Sequence, residues 1–175
     1  EGFDVSFSRE QVSLGSRSER GLPHAFIRPS PWLMPKLDIP AVILYENTYD
    51  PPSPSAARCY ELGKAIARIL SDDPRRIAIL GSGGLSHDPG GPRSGWVDAQ
   101  LDRWFLHQIA TGKGVATKAM YVFDSLTMRG GTGEGRAWIT TAGAMEEVGS
   151  QAEVVDYMAA SHACTGLSWA YWPTE

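Results

Sequence analysis

The histidine at position 87 is the first residue in this sequence whose surroundings suggest chemistry. It ends the stretch GSGGLSH, residues 81–87, which comes directly after the apolar run RRIAIL. Glycines at this density let the backbone approach another group closely, and the carboxyl ends of strands line the ligand crevice of open α/β sheets. A histidine there, with an ordinary pKa of about 6.5, can exchange a proton with a ligand. His87 is therefore a candidate general acid or base, and a histidine that only caps its loop is the equally weighted alternative.

Ser86 lies next to His87, but the pair does not match the nucleophile and base of a serine hydrolase. The nucleophile elbow has the pattern G-x-S-x-G, whereas Ser86 is followed by His87 and Asp88. Adjacent side chains also point in different directions, so they do not readily pair. A nucleotide-binding loop is disfavoured as well, because neither GSGGLSH nor the later GGTGEG matches a phosphate-loop pattern.

Glu134 is a second candidate, because it stands among four glycines in RGGTGEGRAW. One interpretation is an acidic residue that favours the start of a helix through the helix dipole. The other is a carboxylate packed closely against another group, for instance a metal ion, since a helix start needs one cap and not a run of glycines. Both interpretations stay open at this point.

The remaining histidines give weaker signals. His24, in LPHAF, could reach a pocket, whereas His107 is predicted on a helix surface and His162 in a turn. The chain has no H-x-H or H-x-x-x-H pair, so it offers no self-contained histidine metal site.

Short apolar runs alternate with amphipathic segments, which predicts an α/β fold to position these residues. Residues 11–24 are predicted to form a mobile loop. Strands are predicted at FDVSFS (3–8), IPAVILYEN (39–47) and RRIAILGSGG (75–84), and one or two more around a turn at Thr165-Gly166.

Three helices are predicted between these strands. The first follows a proline-rich turn, has Ser53 or Ser55 as its cap, and is expected to bury Cys59, Leu62, Ile66, Ile69 and Leu70. The second lies in WVDAQLDRWFLHQIATG, ends at Gly112, and is expected to bury Trp96, Leu101, Trp104, Phe105 and Ile109. The third is GEGRAWITTAGAM, whose Trp138 and Ile139 are expected to face inward.

The composition is that of an ordinary globular domain. The 175 residues include 42% hydrophobic and 21% charged residues, with a net charge of −4, so nothing favours nucleic acid or an anionic membrane as a partner. No apolar run approaches the roughly 20 residues of a membrane span, and the first residues do not read as a secretory signal. Cys59 and Cys164 are interpreted as reduced thiols of a cytoplasmic protein.

Five segments together resemble the class III extradiol ring-cleavage dioxygenases of the protocatechuate 4,5-dioxygenase β-subunit type, the LigB-type superfamily. They are, in order, EGFDVSFS, IPAVILYENTYDPPSPSAARCYELGKAI, GGLSH, LDRWFLHQIATG and GEGRAWI. The resemblance covers nearly the whole chain. It implies an α/β fold with a mixed central sheet flanked by helices on both faces. Residues 1–175 are expected to form a single domain, the C-terminal majority of a catalytic domain whose N-terminal part is missing.

The resemblance also implies roles for individual residues. The histidine of the GGxSH signature is the family's acid/base and matches His87, while the glutamate four residues before the tryptophan binds ferrous iron and matches Glu134. Two histidines complete that iron site and leave positions for the diol oxygens and O₂. They belong to an N-terminal stretch that nothing here matches. Ser86 is expected to contact substrate, and so is His24, which takes a place similar to an Asp-His-Gly found in many members.

The expected function is therefore extradiol cleavage of a catechol-type ring, protocatechuate- or gallate-like, with Fe(II) and O₂. One alternative is a non-catalytic paralogous subunit that pairs with an active one, and another is a different metal-dependent enzyme on the same scaffold. The expected partner is a small aromatic diol, which Arg28, Arg93 or Arg136 could hold through a carboxylate. Six tryptophans and the tail WAYWP suit a homo-oligomer, or a hetero-oligomer with a small subunit.

Overall fold

The computed structural model of the protein describes residues 2–7 and 22–174. The chain divides into two compact units, Glu1–Tyr45 and Glu46–Glu175. The first unit contains two short helices, α1 (His24–Ile27) and α2 (Ser30–Leu33). The second contains three longer helices and a β-hairpin, described below. The predicted single domain over residues 1–175 stays a prediction.

Helices α3 (Ala56–Leu70) and α5 (Gly135–Glu147) form the central pair of the second unit. The hydroxyl of Ser55 accepts the N–H of Arg58 at 3.1 Å, which confirms Ser55 as the cap of α3. The two helices touch backbone to backbone, because a Cβ atom at Gly63 would overlap the Thr140 carbonyl oxygen and one at Gly143 would overlap that of Tyr60.

This close contact corrects the predicted buried face of α3. Ile69 is 65% exposed, and Leu62, Ile66 and Leu70 are only partly buried. Cys59 is buried as predicted, and the other buried residues of the helix are Ala56, Tyr60, Gly63, Ala65 and Ala67. The physical reason is that an approach at backbone distance requires small residues, so the largest aliphatic side chains are displaced to the flanks.

Helix α4 (Ala99–Ala110) brings the main apolar side chains of the core. Phe105 and Ile109 are buried as predicted, and the Phe105 ring meets the edge of Trp138 with centroids 6.2 Å apart. Gly112 follows the helix with φ +66°, as expected of a glycine that ends a helix. The prediction for Trp104 is wrong, since this side chain is exposed.

The tail forms the antiparallel strands β1 (Glu153–Ala160) and β2 (Thr165–Tyr171). They are joined by a 3₁₀ turn at Ser161–Ala163 and by Cys164, whose φ is +59°. The predicted turn at Thr165-Gly166 is therefore wrong by a few residues. Gly166 belongs to β2, where a side chain would overlap the carboxylate of Asp102.

The strands predicted at 3–8, 39–47 and 75–84 carry neither helix nor strand wherever they fall within the described residues. Strands are stable when a neighbouring strand pairs with their backbone groups, and the sheet of the described residues contains only β1 and β2. Most apolar side chains of these runs are accordingly exposed, Val42 fully, whereas Phe3, Ile43 and Ile79 are partly buried. The mixture of helices and strands is confirmed, whereas a mixed central sheet flanked by helices stays a prediction.

Within residues 2–7 and 22–174, every helix is too short or too polar to cross a membrane. The predicted mobile loop at 11–24 lies largely outside the described residues. Both cysteines are free thiols, with Cys59 buried and Cys164 partly buried.

Candidate active site

The structure brings His87 and Glu134 together. The Nε2 atom of His87 lies 3.7 Å from Oε2 of Glu134, a distance that allows an ion pair when the ring is protonated. Glu134 ends the 3₁₀ turn Gly130–Glu134, which leads directly into α5. The two residues that the sequence singled out for chemistry are thus neighbours, although 46 positions separate them in the chain.

The orientation of the His87 ring is fixed by its own loop. Its Nδ1 atom lies 2.7 Å from the carbonyl oxygen of Leu85. A carbonyl only accepts, so Nδ1 must donate a proton to it, and in the neutral ring Nε2 is then the basic nitrogen. The nitrogen that can accept a proton is therefore the one beside Glu134.

Thr132 holds the backbone of His87 from the opposite side. The N–H of His87 donates to Thr132 Oγ1 at 3.1 Å, and the N–H of Thr132 donates to the His87 carbonyl at 3.1 Å. Both residues are buried. This reciprocal pair ties the loop that ends in His87 to the turn that ends in Glu134.

The glycines of both segments serve this close approach. A Cβ atom at Gly131 would overlap the imidazole ring of His87, and one at Gly84 would lie 2.7 Å from its Cε1 atom. The N–H of Gly84 donates to Oε2 of Glu134 at 2.7 Å. The glycine-rich sequences around both residues therefore exist because the two loops pack directly on each other.

Glu134 is the N-cap residue of α5, yet its side chain makes no capping hydrogen bond to that helix. Its carboxylate faces Gly84 and His87 and is about a quarter exposed. The Tyr49 phenol interacts with this carboxylate: burial and then the charge of Glu134 raise the pKa of Tyr49 to about 12. Of the two interpretations of Glu134, the geometry favours the carboxylate packed against another group.

Ser86 is placed differently from what its predicted substrate contact requires. It is 1% exposed. Its hydroxyl donates to Asp102 Oδ2 at 2.9 Å and accepts the N–H of Asp98 at 2.7 Å. Both functions of the hydroxyl are used within the protein, so substrate contact by Ser86 stays a prediction that these bonds disfavour.

The other histidines differ from His87 in being exposed. His107 is exposed on α4, and His162 is exposed in the turn between β1 and β2, as predicted. His24 is exposed at the start of α1 in the first unit. Its substrate contact stays a prediction.

Two of the three candidate arginines are engaged by the protein itself. Arg136 is buried and donates to the carbonyls of Pro54, Thr48 and Gly133. Arg93 pairs with Asp88 at 3.3 Å and stacks on Trp96. Arg28 is exposed in the first unit.

Sequence reasoning missed three residues around His87, namely Tyr49, Thr132 and Asp102. Asp102 carried a readable signal, because it lies three, four and seven positions from the buried Phe105, Leu106 and Ile109 of α4. A carboxylate on an apolar helix face demands a partner. Thr132 lies in a glycine run and Tyr49 in a proline-rich turn. Such segments have no helical or strand periodicity from which the direction of a side chain could be predicted.

The described residues do not by themselves fit an iron ion. Carboxylate and imidazole are suitable ligands for Fe(II), and Glu134 offers a partly exposed carboxylate. However, no group of three or more His, Cys, Asp or Glu side chains within 2–7 and 22–174 is placed to hold a metal. Glu134 with His87 supplies two such groups at most.

Comparison with known families gives an extended match. The family model described as the catalytic LigB subunit of aromatic ring-opening dioxygenase matches residues 4–168. This range includes both His87 and Glu134.

Curated relatives match over shorter stretches. A 2,3-dihydroxyphenylpropionate/2,3-dihydroxicinnamic acid 1,2-dioxygenase of Photorhabdus laumondii is 36% identical over 107 residues, which is 60% of this chain and 31% of that protein. A gallate dioxygenase of Pseudomonas putida is 33% identical over 109 residues, 59% of this chain and 29% of that protein. The chain thus spans about a third of the length of the curated relatives it matches.

Proposed function

This chain belongs to the family of the catalytic LigB subunit of aromatic ring-opening dioxygenases, and we propose that it takes part in the extradiol cleavage of a catechol-type ring. The observation that carries the proposal is the pairing of His87 and Glu134, with the basic Nε2 atom turned to the carboxylate. A general acid/base beside a carboxylate is what proton transfer at a diol requires.

The proposed role of His87 is proton exchange with the substrate. Its Nε2 atom takes the proton of a ring hydroxyl and returns it as the ring opens, so no net proton is consumed. The Leu85 carbonyl keeps the other ring nitrogen protonated throughout, which fixes the tautomer that can act as a base. Thr132 holds the backbone of His87 in place during both transfers.

Glu134 is proposed as one ligand of Fe(II), with O₂ as the co-substrate. Because the described residues do not complete such a site, two further histidine ligands are part of the proposal. So are a mixed central sheet flanked by helices, a protocatechuate- or gallate-like substrate, an oligomeric state and a cytoplasmic location. The two relatives named for dihydroxyphenylpropionate and gallate support a diol with adjacent hydroxyls as the substrate class.

The test is oxygen uptake by the purified protein, loaded anaerobically with Fe(II) and offered protocatechuate, gallate and catechol. We expect uptake with at least one diol, a loss of about 100-fold or more in His87→Ala, the range for removal of a general acid/base, and a loss of both bound iron and uptake in Glu134→Gln, which removes a proposed ligand. The exposed His107→Ala is the control and keeps its uptake. Bound iron without uptake of oxygen with any diol would contradict the proposal, and absence of bound iron would favour the non-catalytic subunit.

A further inference from the structure

A second carboxylate, Asp102, lies behind the loop that carries His87. It projects from α4 and is 2% exposed. Its Oδ1 accepts the N–H of Ser86 at 2.9 Å, and its Oδ2 accepts the hydroxyls of Ser86 and Tyr157, each at 2.9 Å. A buried carboxylate needs several donors to be tolerated, and two of these three come from the residue that precedes His87.

The residues around Ser86 are fixed by the same arrangement. The Ser86 carbonyl accepts the N–H of Gly166, and the N–H of Leu85 donates to the Gly166 carbonyl, at 3.0 and 3.2 Å. Gly166 also lies directly against Asp102, where a Cβ atom would overlap Oδ2. Strand β2 and Asp102 therefore enclose Ser86 between them.

This enclosure reaches His87 in two ways. Ser86 is its chain neighbour, and Leu85 supplies the carbonyl that receives the His87 Nδ1 proton. Rotation of the Ser86 peptide units would move that carbonyl and the imidazole together. The direction of Nε2 thus depends on the hydrogen bonds that Ser86 makes.

We propose that Asp102 is a positioning residue for His87, because its buried carboxylate fixes Ser86 by two hydrogen bonds and thereby holds the imidazole Nε2 atom beside Glu134. Asp102 acts through Ser86 and does not touch substrate. The inference rests on the proposed function of His87 as acid/base. It also gives Ser86 a role that its buried hydroxyl can fulfil.

The structure offers a matched control for the Asp102 variant. Glu146, at the end of α5, likewise accepts a tyrosine hydroxyl, that of Tyr60, and two backbone N–H groups, those of Gly114 and Val115. Glu146→Gln and Asp102→Asn therefore remove the same charge from similar sets of donors. Of these two carboxylates, only that of Asp102 is bonded to Ser86.

Two readouts test the inference. The first is hydrogen exchange of the His87 Nδ1–H by NMR before iron is added, with the signal assigned by its loss in His87→Ala. The second is kcat and KM for oxygen uptake after iron loading. We expect Asp102→Asn to exchange about 10-fold faster or more, and its kcat to fall about 10- to 100-fold with KM nearly unchanged, as expected of a displaced catalytic group.

Glu146→Gln should leave kcat and the exchange rate within about twofold of the wild-type values. Equal effects of Asp102→Asn and Glu146→Gln on both readouts would overturn the inference. If Asp102→Asn does not fold, Ser86→Ala, which removes only the hydroxyl, decides by the same criteria. A wild-type protein without oxygen uptake would refute the proposed function. The exchange rate of the His87 Nδ1–H would then be the readout that tests whether Asp102 positions His87.

Discussion

Asp102 and Glu146 are two carboxylates with nearly the same hydrogen bonds and different tasks. Each accepts a tyrosine hydroxyl, and each accepts at least one backbone N–H. Glu146 satisfies the first N–H groups of the 3₁₀ helix Gly114–Ala119, which is ordinary helix capping. Asp102 instead accepts donors from the loop that carries His87, a loop that strand β2 also holds through Gly166. A hydrogen-bonded carboxylate can therefore stabilise a helix end or orient a catalytic side chain, depending on which residues supply its hydrogen-bond donors.

Burial separates the two carboxylates further. Burial is the main cause that raises the pKa of Asp102, and it outweighs the hydrogen bonds from Ser86 and Tyr157, which lower it. Glu146 is only partly buried. The interior position of Asp102 thus costs free energy that the position of Glu146 avoids.

The largest expected effect comes from adding a methyl group beside each carboxylate. Gly166→Ala drives a Cβ atom into Asp102 Oδ2, and Gly114→Ala places one 2.5 Å from Glu146 Oε1. Glu146 has the longer side chain and more exposure, so it can move aside. We expect Gly166→Ala to lower the free energy of unfolding by about 3 kcal/mol, and Gly114→Ala by clearly less, in urea denaturation. Equal losses of unfolding free energy would show that Asp102 can move aside as easily as Glu146, which would contradict the difference proposed between the two carboxylates.

A smaller effect is expected when each tyrosine loses its hydroxyl. Tyr157→Phe and Tyr60→Phe each remove one donor from a carboxylate, which costs about 1 to 2 kcal/mol of unfolding free energy. Thermal unfolding of both variants measures this. Tyr60→Phe should leave oxygen uptake unchanged, since the Tyr60 hydroxyl bonds Glu146 and not the loop that carries His87. A loss of uptake in Tyr60→Phe would mean that Glu146 also supports the site.

The smallest expected effect is a pH dependence that belongs to Asp102. Its pKa in the folded protein is raised above the ordinary value of 3.8, so the folded state binds this proton more readily than the unfolded state. The corresponding stability is fully present below pH 3.8 and is lost as pH rises through the folded-state pKa. The unfolding free energy of the wild type minus that of Asp102→Asn should therefore fall as the pH rises above 3.8 in urea titrations. A constant or rising difference would contradict the direction of the pKa shift.

The sequence singled out two residues that the structure places side by side, whereas the runs predicted as strands at 39–47 and 75–84 are not strands. His87 and Glu134 were identified because glycines accompany them, and these glycines turn out to mark the contact between the two loops. The cap at Ser55, the burial of Phe105 and Ile109 and the glycine after α4 followed from local rules that need no knowledge of neighbours.

The failures have a common physical cause, which is dependence on a partner far away in the chain. The runs at 39–47 and 75–84 have the composition of strands, but pairing decides whether a run becomes a strand. Gly166 was interpreted as a turn residue, whereas it makes room for Asp102. Substrate contact by Ser86 stays a prediction, and the bond of its hydroxyl to Asp102 on α4, a distant partner of the same kind, disfavours it.

The close approach of helices α3 and α5 at Gly63 and at Gly143 has a mechanical consequence for the site. Where two helices touch through their backbones, no side chain between them can change rotamer and absorb a displacement. Helices α3 and α5 therefore move together as one rigid pair. Glu134 immediately precedes Gly135, the first residue of α5, so a displacement of α3 also displaces the Glu134 carboxylate.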